Sequence, residues 1–319
     1  MKITLRIFLL LIDKCKLIIF FLLKLDPELQ LWGEITKRHN KYVKEYPDLA
    51  SYNYDRVGLE RSLWGVYEKH NLDSLKTYVF SKINTKNSIC LDIGANIGNH
   101  SVFFSEYFKT VHAFEPQPKV FQLLKFNTQK INNIKIYRKG ASNINGHNNL
   151  YTFTKTHSGT SSLLKSKNEK ILEKNKIEII KVDDFLNFTN IADQVSFIKI
   201  DVEGYELNVL EGMQKIINKF SPVIVLEQTA EEFYLDSGVI TSNSINFLKK
   251  LGYENYYNFS NIYDWKVKKN YLQLPFYRFF HNIFEIITHG FPEKKCLILK
   301  NNSFEKKTYR MLIISKKNL

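Results

Sequence analysis

Apolar positions change their rhythm along this chain. Up to residue 87 they recur at helical spacing between polar loops. From Ser88 onward, short apolar runs alternate with amphipathic helical stretches, the βαβ pattern of a mostly parallel sheet. The runs predict strands over 89–93, 111–114, 134–138, 195–200 and 223–226, with a closing strand over 310–315. Helices are predicted over 99–107, 118–130, 205–220 and 242–251. Residues 143–186 read as an insertion between the third and fourth core strands, with alternating segments over 150–154 and 177–182. Residues 266–305 read as a second insertion, aromatic-rich over 272–291 around Arg278 and His281 and able to touch lipid or cap a pocket. The expected organisation is an amphipathic segment over 1–25, a helical extension over 26–87 punctuated by Pro27 and Pro47, and an α/β domain over 88–319.

Residues 3–25 have the length of a membrane span, but Asp13, Lys14 and Lys16 break the middle. Each would cost roughly 2.5–3.5 kcal/mol at a bilayer centre. Wound as a helix, Lys2, Arg6, Asp13, Lys14, Lys16 and Lys24 share an arc of about 160°, opposite Ile, Leu and Phe. This predicts a helix lying in a membrane interface rather than crossing it. Packing against its own domain or a dimer partner is the competing reading. No small-residue cleavage site follows the apolar run, so a signal peptide is not expected.

Charge sharpens the picture. The 319 residues carry a net charge of +14, distributed as +5 over 1–87, zero over 88–265 and +9 over 266–319. A neutral middle between basic flanks, with 7 arginines against 39 lysines, does not suit a nucleic-acid groove. No nucleic-acid partner is expected. The basic flanks suit adhesion to an anionic membrane surface, and a cytoplasmic location, peripheral on the inner face of the membrane, follows as the expectation. Three scattered cysteines (Cys15, Cys90, Cys296) exclude a disulfide scaffold and a cysteine zinc site.

The candidate chemistry begins at Asp92-Ile-Gly94-Ala-Asn96-Ile-Gly98, between a predicted strand and a helix. The glycines allow a sharp turn and close approach of a ligand, but the spacing is not the GxGxxG of a dinucleotide fold. Glu115, in Ala113-Phe114-Glu115-Pro116, ends the next strand, about 20 residues after the glycine loop, where an acid can accept both hydroxyls of a ribose. A third strand ends in Asp201 and Glu203, followed by Gly204. Carboxylates at the carboxyl ends of parallel strands face the ligand crevice. Together these describe a pocket for a nucleoside with a zwitterionic tail and no phosphates, which S-adenosylmethionine fits.

These motifs, with Ser158-Gly159-Thr160-Ser161-Ser162-Leu163, Val182-Asp183-Asp184-Phe185-Leu186, Lys199-Ile-Asp201-Val-Glu203-Gly204 and Pro222…Leu226-Glu227, occur in the order seen in one family. Over residues 60–255 the chain resembles the FkbM-type family of S-adenosylmethionine-dependent O-methyltransferases. The resemblance implies an α/β class I (Rossmann-like) methyltransferase fold, with a mostly parallel seven-stranded sheet and helices on both faces. It implies S-adenosyl-L-methionine as cofactor and a hydroxyl of a sugar, glycolipid or similar small molecule as acceptor. Carried over by position, Asp92, Gly94, Asn96 and Gly98 hold the methionine part, Glu115 the ribose, and Ala141 and Ser142 flank the adenine. The first seventy residues and 266–305 have no counterpart in the family.

Methyl transfer is an in-line displacement that rests mainly on positioning, with a general base as a further aid. The candidate bases are Asp201, Glu203, Glu227 and His157. Asp201 sits best, and its other reading is a cofactor ligand for the methionine ammonium. Glu203 can instead accept from loop amides, Glu227 can cap a helix or pair a lysine, and His157 can be merely exposed. Asp183 and Asp184 are expected to cap the short helix at Phe185. No metal is expected, because no histidine lies near Asp201, Glu203 and Glu227 in sequence. Two other classes compete: a non-catalytic, membrane-recruited scaffold with a methyltransferase fold, and a nicotinamide-dependent oxidoreductase, against which the missing GxGxxG argues.

Overall fold

The computed structural model describes residues 46–52, 55–152, 161–163, 171–186, 194–264 and 293–319, with positions 36 and 40. The expectations for 1–25, His157, 158–160, Arg278 and His281 lie outside the described residues. The chain divides into two compact units, 1–48 with 56–67 and 49–55 with 68–319. In the first, helix α1 (Arg56–Trp64) carries a buried Arg61 whose guanidinium donates to the Pro47 carbonyl at 3.4 Å.

The second unit is built on one central sheet. Its strands are β1 (Ile89–Ile93), β2 (Thr110–Phe114), β3 (Ile134–Tyr137), β4 (Val195–Ile200), β5 (Val223–Gln228), β6 (Asn255–Asp264), β7 (Glu293–Asn301) and β8 (Tyr309–Ser315). They lie in the order β7-β6-β8-β5-β4-β1-β2-β3. The five from β5 to β3 are parallel; β8 pairs antiparallel with β5, β6 antiparallel with β8 and β7 antiparallel with β6, so that β6 runs with the five and only β8 and β7 run against them. Every residue of β1 and β4 is buried, as expected of continuous apolar strands covered on both faces.

Helices α2 (Lys69–Ser74), α3 (Asn99–Ser105), α4 (Pro118–Thr128), α5 (Val182–Leu186), α6 (Glu206–Glu211), α7 (Gln214–Phe220) and α8 (Asn243–Lys250) complete the unit. Phe103 and Phe104 of α3 pack with Phe80, and both Phe80 and Phe104 meet Phe197 of β4 edge-on, with centroids 5.1 and 5.4 Å away. Val209, Leu210, Met213 and Ile217 join Ile198, Ile200, Ile224 and Leu226 in the main core.

The class I methyltransferase fold expected from sequence is present, with two differences. The sheet has eight strands, not seven, because β7 lies within the segment read as an insertion. Its Lys-rich sequence sits at the sheet edge, where lysines discourage further pairing. The helix expected over 205–220 is two helices. At their junction a Cβ added to Gly212 would overlap the Ser142 carbonyl oxygen, so the chain passes there only as glycine. Asp183 also departs from its expected role. Its carboxylate accepts from Lys215 N at 2.8 Å and Ile216 N at 2.9 Å, capping α7 instead of its own helix.

The insertion forms a separate four-stranded sheet in the order Gly140–Ala141, Glu173–Ile180, Gly146–Thr152, Ser161–Ser162, around Leu150, Ile177 and Ile179. A two-stranded hairpin, Tyr234–Asp236 with Val239–Thr241, follows β5.

Candidate functional site

Strand register assembles the site. Ile93 pairs with Phe114 on one side and Ile200 on the other, and Ile200 pairs with Leu226. The next residue of each strand is therefore Gly94, Glu115, Asp201 and Glu227, side by side along one edge. This is the carboxyl edge, where open α/β sheets bind ligands.

The glycine loop is tightly closed. Gly94 has φ +79°, and a Cβ there would overlap the Asp201 carbonyl oxygen, so the turn requires glycine on both counts. Gly94 N and Ala95 N donate to the Phe114 carbonyl at 3.0 and 2.9 Å, and Gly98 N donates to Ala95 O at 2.9 Å. Asn96 N donates to Glu115 Oε2 at 3.0 Å. These four amides are spent inside the protein, which leaves them no part in a phosphate cradle. The Asn96 side-chain oxygen, by contrast, is buried without a hydrogen-bond partner.

Glu115 also accepts from Gln117 N at 2.8 Å through Oε1. Each carboxylate oxygen thus holds one backbone amide and keeps a lone pair for a further donor. Burial pushes Glu115 up to about 7, against the pull of these two amides and of Lys199. The carboxyl that sequence reasoning assigned to ribose is present and correctly edged, but it is not permanently charged.

Asp92 is wholly enclosed. Its Oδ2 accepts from Ser101 Oγ at 2.5 Å, and its Oδ1 lies 3.5 Å from Lys199 Nζ. It sits beneath the loop and braces it from inside. Ala141 and Ser142 are also enclosed, at 4% and 0% exposure, with Ser142 N donating to Ile180 O at 2.8 Å. Ala141 is paired into the insertion sheet, and the Ser142 carbonyl lies against Gly212.

The carboxylates Asp201, Glu203 and Glu227 have oxygens within 4.8 Å of one another. Asp201 and Glu227 hydrogen-bond to each other. Partial desolvation raises Asp201, but its side chain is 38% exposed and lies 3.2 Å from Lys199 Nζ. The lysine, the Glu227 hydrogen bond and the His100 charge together hold Asp201 below the usual carboxylate range. Glu227 goes the other way: burial, with the Asp201 and Glu203 charges, pushes it up to about 9. The two carboxyls titrate as a coupled pair, with the proton favoured on the Glu227 side.

Glu203 is exposed and adopts φ +56°, followed by Gly204 at +94°. The carboxylate that accepts from the loop amides is Glu206, whose Oε1 takes Val202 N at 3.3 Å and Gly204 N at 3.2 Å. Ser162 Oγ donates to Glu203 O at 2.7 Å, bringing the insertion sheet to the same loop. Sequence reasoning gave no role to Lys199, Glu206, His100 or Glu68. His100 Nε2 lies 3.3 Å from Glu68 Oε2, both nearly buried. An isolated lysine in an apolar strand was the signal that could have pointed to Lys199, since such a charge needs paired partners.

A family model described as the methyltransferase FkbM domain matches residues 92–255. The chain belongs to the FkbM methyltransferase family. FkbM membership implies S-adenosylmethionine as the methyl donor. The hexuronic acid methyltransferase AglP of Haloferax volcanii is 29% identical over 142 residues, 44% of this chain and 56% of that protein. Methyltransferase 1 of Beauveria bassiana is 24% identical over 145 residues, 40% of this chain and 58% of that protein. The chain spans somewhat over half the length of these curated relatives. The FkbM methyltransferase of Methylobacillus flagellatus, a solved structure, is 19% identical, with a TM-score of 0.32 over 60% of this chain and 48% of that one.

Proposed function

We propose that this chain transfers a methyl group from S-adenosylmethionine to a hydroxyl of a sugar, glycolipid or similar small molecule. The observation that carries the reading is the Asp201–Glu227 carboxyl pair, with Lys199 Nζ 3.2 Å from Asp201, on the edge that also presents the glycine loop and Glu115. The donor set suits this ligand. Glu115 has acceptor capacity for ribose hydroxyls, and Asn96 Oδ1 is an unpaired acceptor for a cationic amino-acid end. The spent amides of the glycine loop argue against a nicotinamide dinucleotide, whose pyrophosphate needs them. A scaffold would have no need of a carboxylate kept ionised at the crevice. The sugar class rests on the similarity to a hexuronic acid methyltransferase.

When bound, S-adenosylmethionine supplies an electrophilic methyl on a sulfonium. Asp201 accepts the proton of the acceptor hydroxyl as the oxygen becomes a methyl ether. Glu227 holds the neighbouring proton and so leaves Asp201 free to take this one. A positioned base of this kind contributes roughly 10²–10⁴-fold. Calorimetric titration with S-adenosylmethionine and with NAD separates the readings, and Asp201→Asn tests the base. Asn keeps the shape and removes the charge, so turnover with a hexuronic acid acceptor should fall at least about a hundredfold while donor affinity changes little. Lost donor affinity with preserved turnover at saturation would make Asp201 an ammonium ligand instead.

A further inference from the structure

Lys199 is a charge inside an apolar strand. Its side chain is 5% exposed, and its Nζ lies 3.0 Å from Gly94 O, 3.5 Å from Asp92 and 3.2 Å from Asp201. One ammonium thus ties together three elements: β1 through Asp92, the glycine loop through its carbonyl, and the end of β4 through Asp201. An ammonium has three donors, and here all three have an oxygen to face.

We propose that Lys199 is the positioning residue of the methyl-transfer site, holding the Asp201 carboxylate against the glycine loop and β1. The inference rests on the proposed role of Asp201 as base and deepens it. Without Lys199, Asp201 would lose the largest influence that lowers its proton affinity.

The surroundings support this role. Asp201 is faced by Lys199 on its own strand, Glu227 on β5, Glu203 on the following loop, His100 on α3 and, further off, Glu115 beyond β2. Among the described residues, only Lys199 and His100 bring positive charge to Asp201, and His100 already lies against Glu68. Lys199 itself is faced by Asp92, Asp201 and Glu68. Burial would lower its pKa, but the carboxylates outweigh burial and hold it above the ordinary lysine value. It therefore stays charged wherever Asp201 titrates.

The experiment reads the two carboxyls directly. Carbon-13 NMR of carboxyl-labelled full-length protein is titrated with acid and base, and the resonances are assigned by their loss in Asp201→Asn and Glu227→Gln. In the native chain Asp201 should stay ionised through neutral pH while Glu227 stays protonated. In Lys199→Met the Asp201 midpoint should rise at least tenfold in proton affinity. Because the unpaired Asp92 could unfold that variant, Lys199→Met with Asp92→Asn provides the same reading with the second charge removed. An Asp201 midpoint unmoved in whichever variant keeps native circular dichroism overturns the proposal. Donor binding is not needed for this readout. A native chain that binds no S-adenosylmethionine would sink the function above and leave the Lys199 result standing.

Discussion

The raised pKa of Glu115 makes donor binding depend on pH in a defined direction. Glu115 is 8% exposed and is pushed up to about 7 by burial. If its carboxylate receives the two ribose hydroxyls, only the ionised form offers both oxygens as strong acceptors. The sign follows: affinity for S-adenosylmethionine should increase as pH rises through 7, not fall. With that pKa, roughly one carboxyl in eleven is ionised at pH 6 and ten in eleven at pH 8, a gain of about tenfold or ~1.4 kcal/mol. Glu115→Gln removes the charge-assisted bonds, each about 1.5–3 kcal/mol. It should therefore bind at least about tenfold more weakly at pH 8 and lose the dependence on pH. Isothermal titration of native and variant protein at several pH values, with S-adenosylhomocysteine as a non-reacting control, measures both. Affinity that is flat in the native chain, or a slope that survives in Glu115→Gln, refutes the ribose assignment.

Two further outcomes follow from the glycine loop and the amino-terminal segment. Gly94→Ala places a side chain at φ +79°, at roughly 1–2 kcal/mol for the left-handed backbone alone, and drives it into the Asp201 carbonyl. Its thermal midpoint should drop and donor binding should be lost; a variant that melts and binds like the native chain would show that the loop is looser than described. We also propose that residues 1–25 adhere to anionic membrane, where each Lys or Arg contributes about 1 kcal/mol. The full chain should then float with anionic vesicles while a chain beginning at Asp26 stays behind, and equal behaviour of the two would favour the dimer-interface reading of that segment.

The parallel core was legible because a strand buried on both faces has one sequence solution, a short unbroken apolar run, and β1 and β4 begin and end where those runs do. The carboxyl-edge acids were legible for a related reason: a charged residue directly after such a run can only sit at the strand's end. β6 was not seen. Its residues Asn255, Asn258, Ser260 and Asn261 blur the alternation, and pairing with β8 and β7 holds it in place instead. The break between α6 and α7 was hidden because it is set by the Ser142 carbonyl, some seventy residues earlier in the chain. Pattern reports what a segment does by itself; these two features are imposed by a neighbour.

The division of labour among the acids shows the same limit at the site. Asp92, Glu115, Asp201, Glu203, Glu206 and Glu227 look alike in sequence, each a carboxylate near a strand or helix end. Their environments make them different acids. Asp92 is sealed under the loop against Ser101 and Lys199. Glu206 is spent on the Val202 and Gly204 amides, which fixes the left-handed turn that follows Asp201. Burial pushes Glu115 up to about 7 and Glu227 up to about 9, while Lys199 helps hold Asp201 below the usual carboxylate range. What separates the last two is burial of Glu227 among like charges on one side and, on the other, an ammonium 3.2 Å from Asp201. In the proposed reading, a base and its neutral neighbour are made from two ordinary carboxyls by the burial of one and the placement of a lysine beside the other.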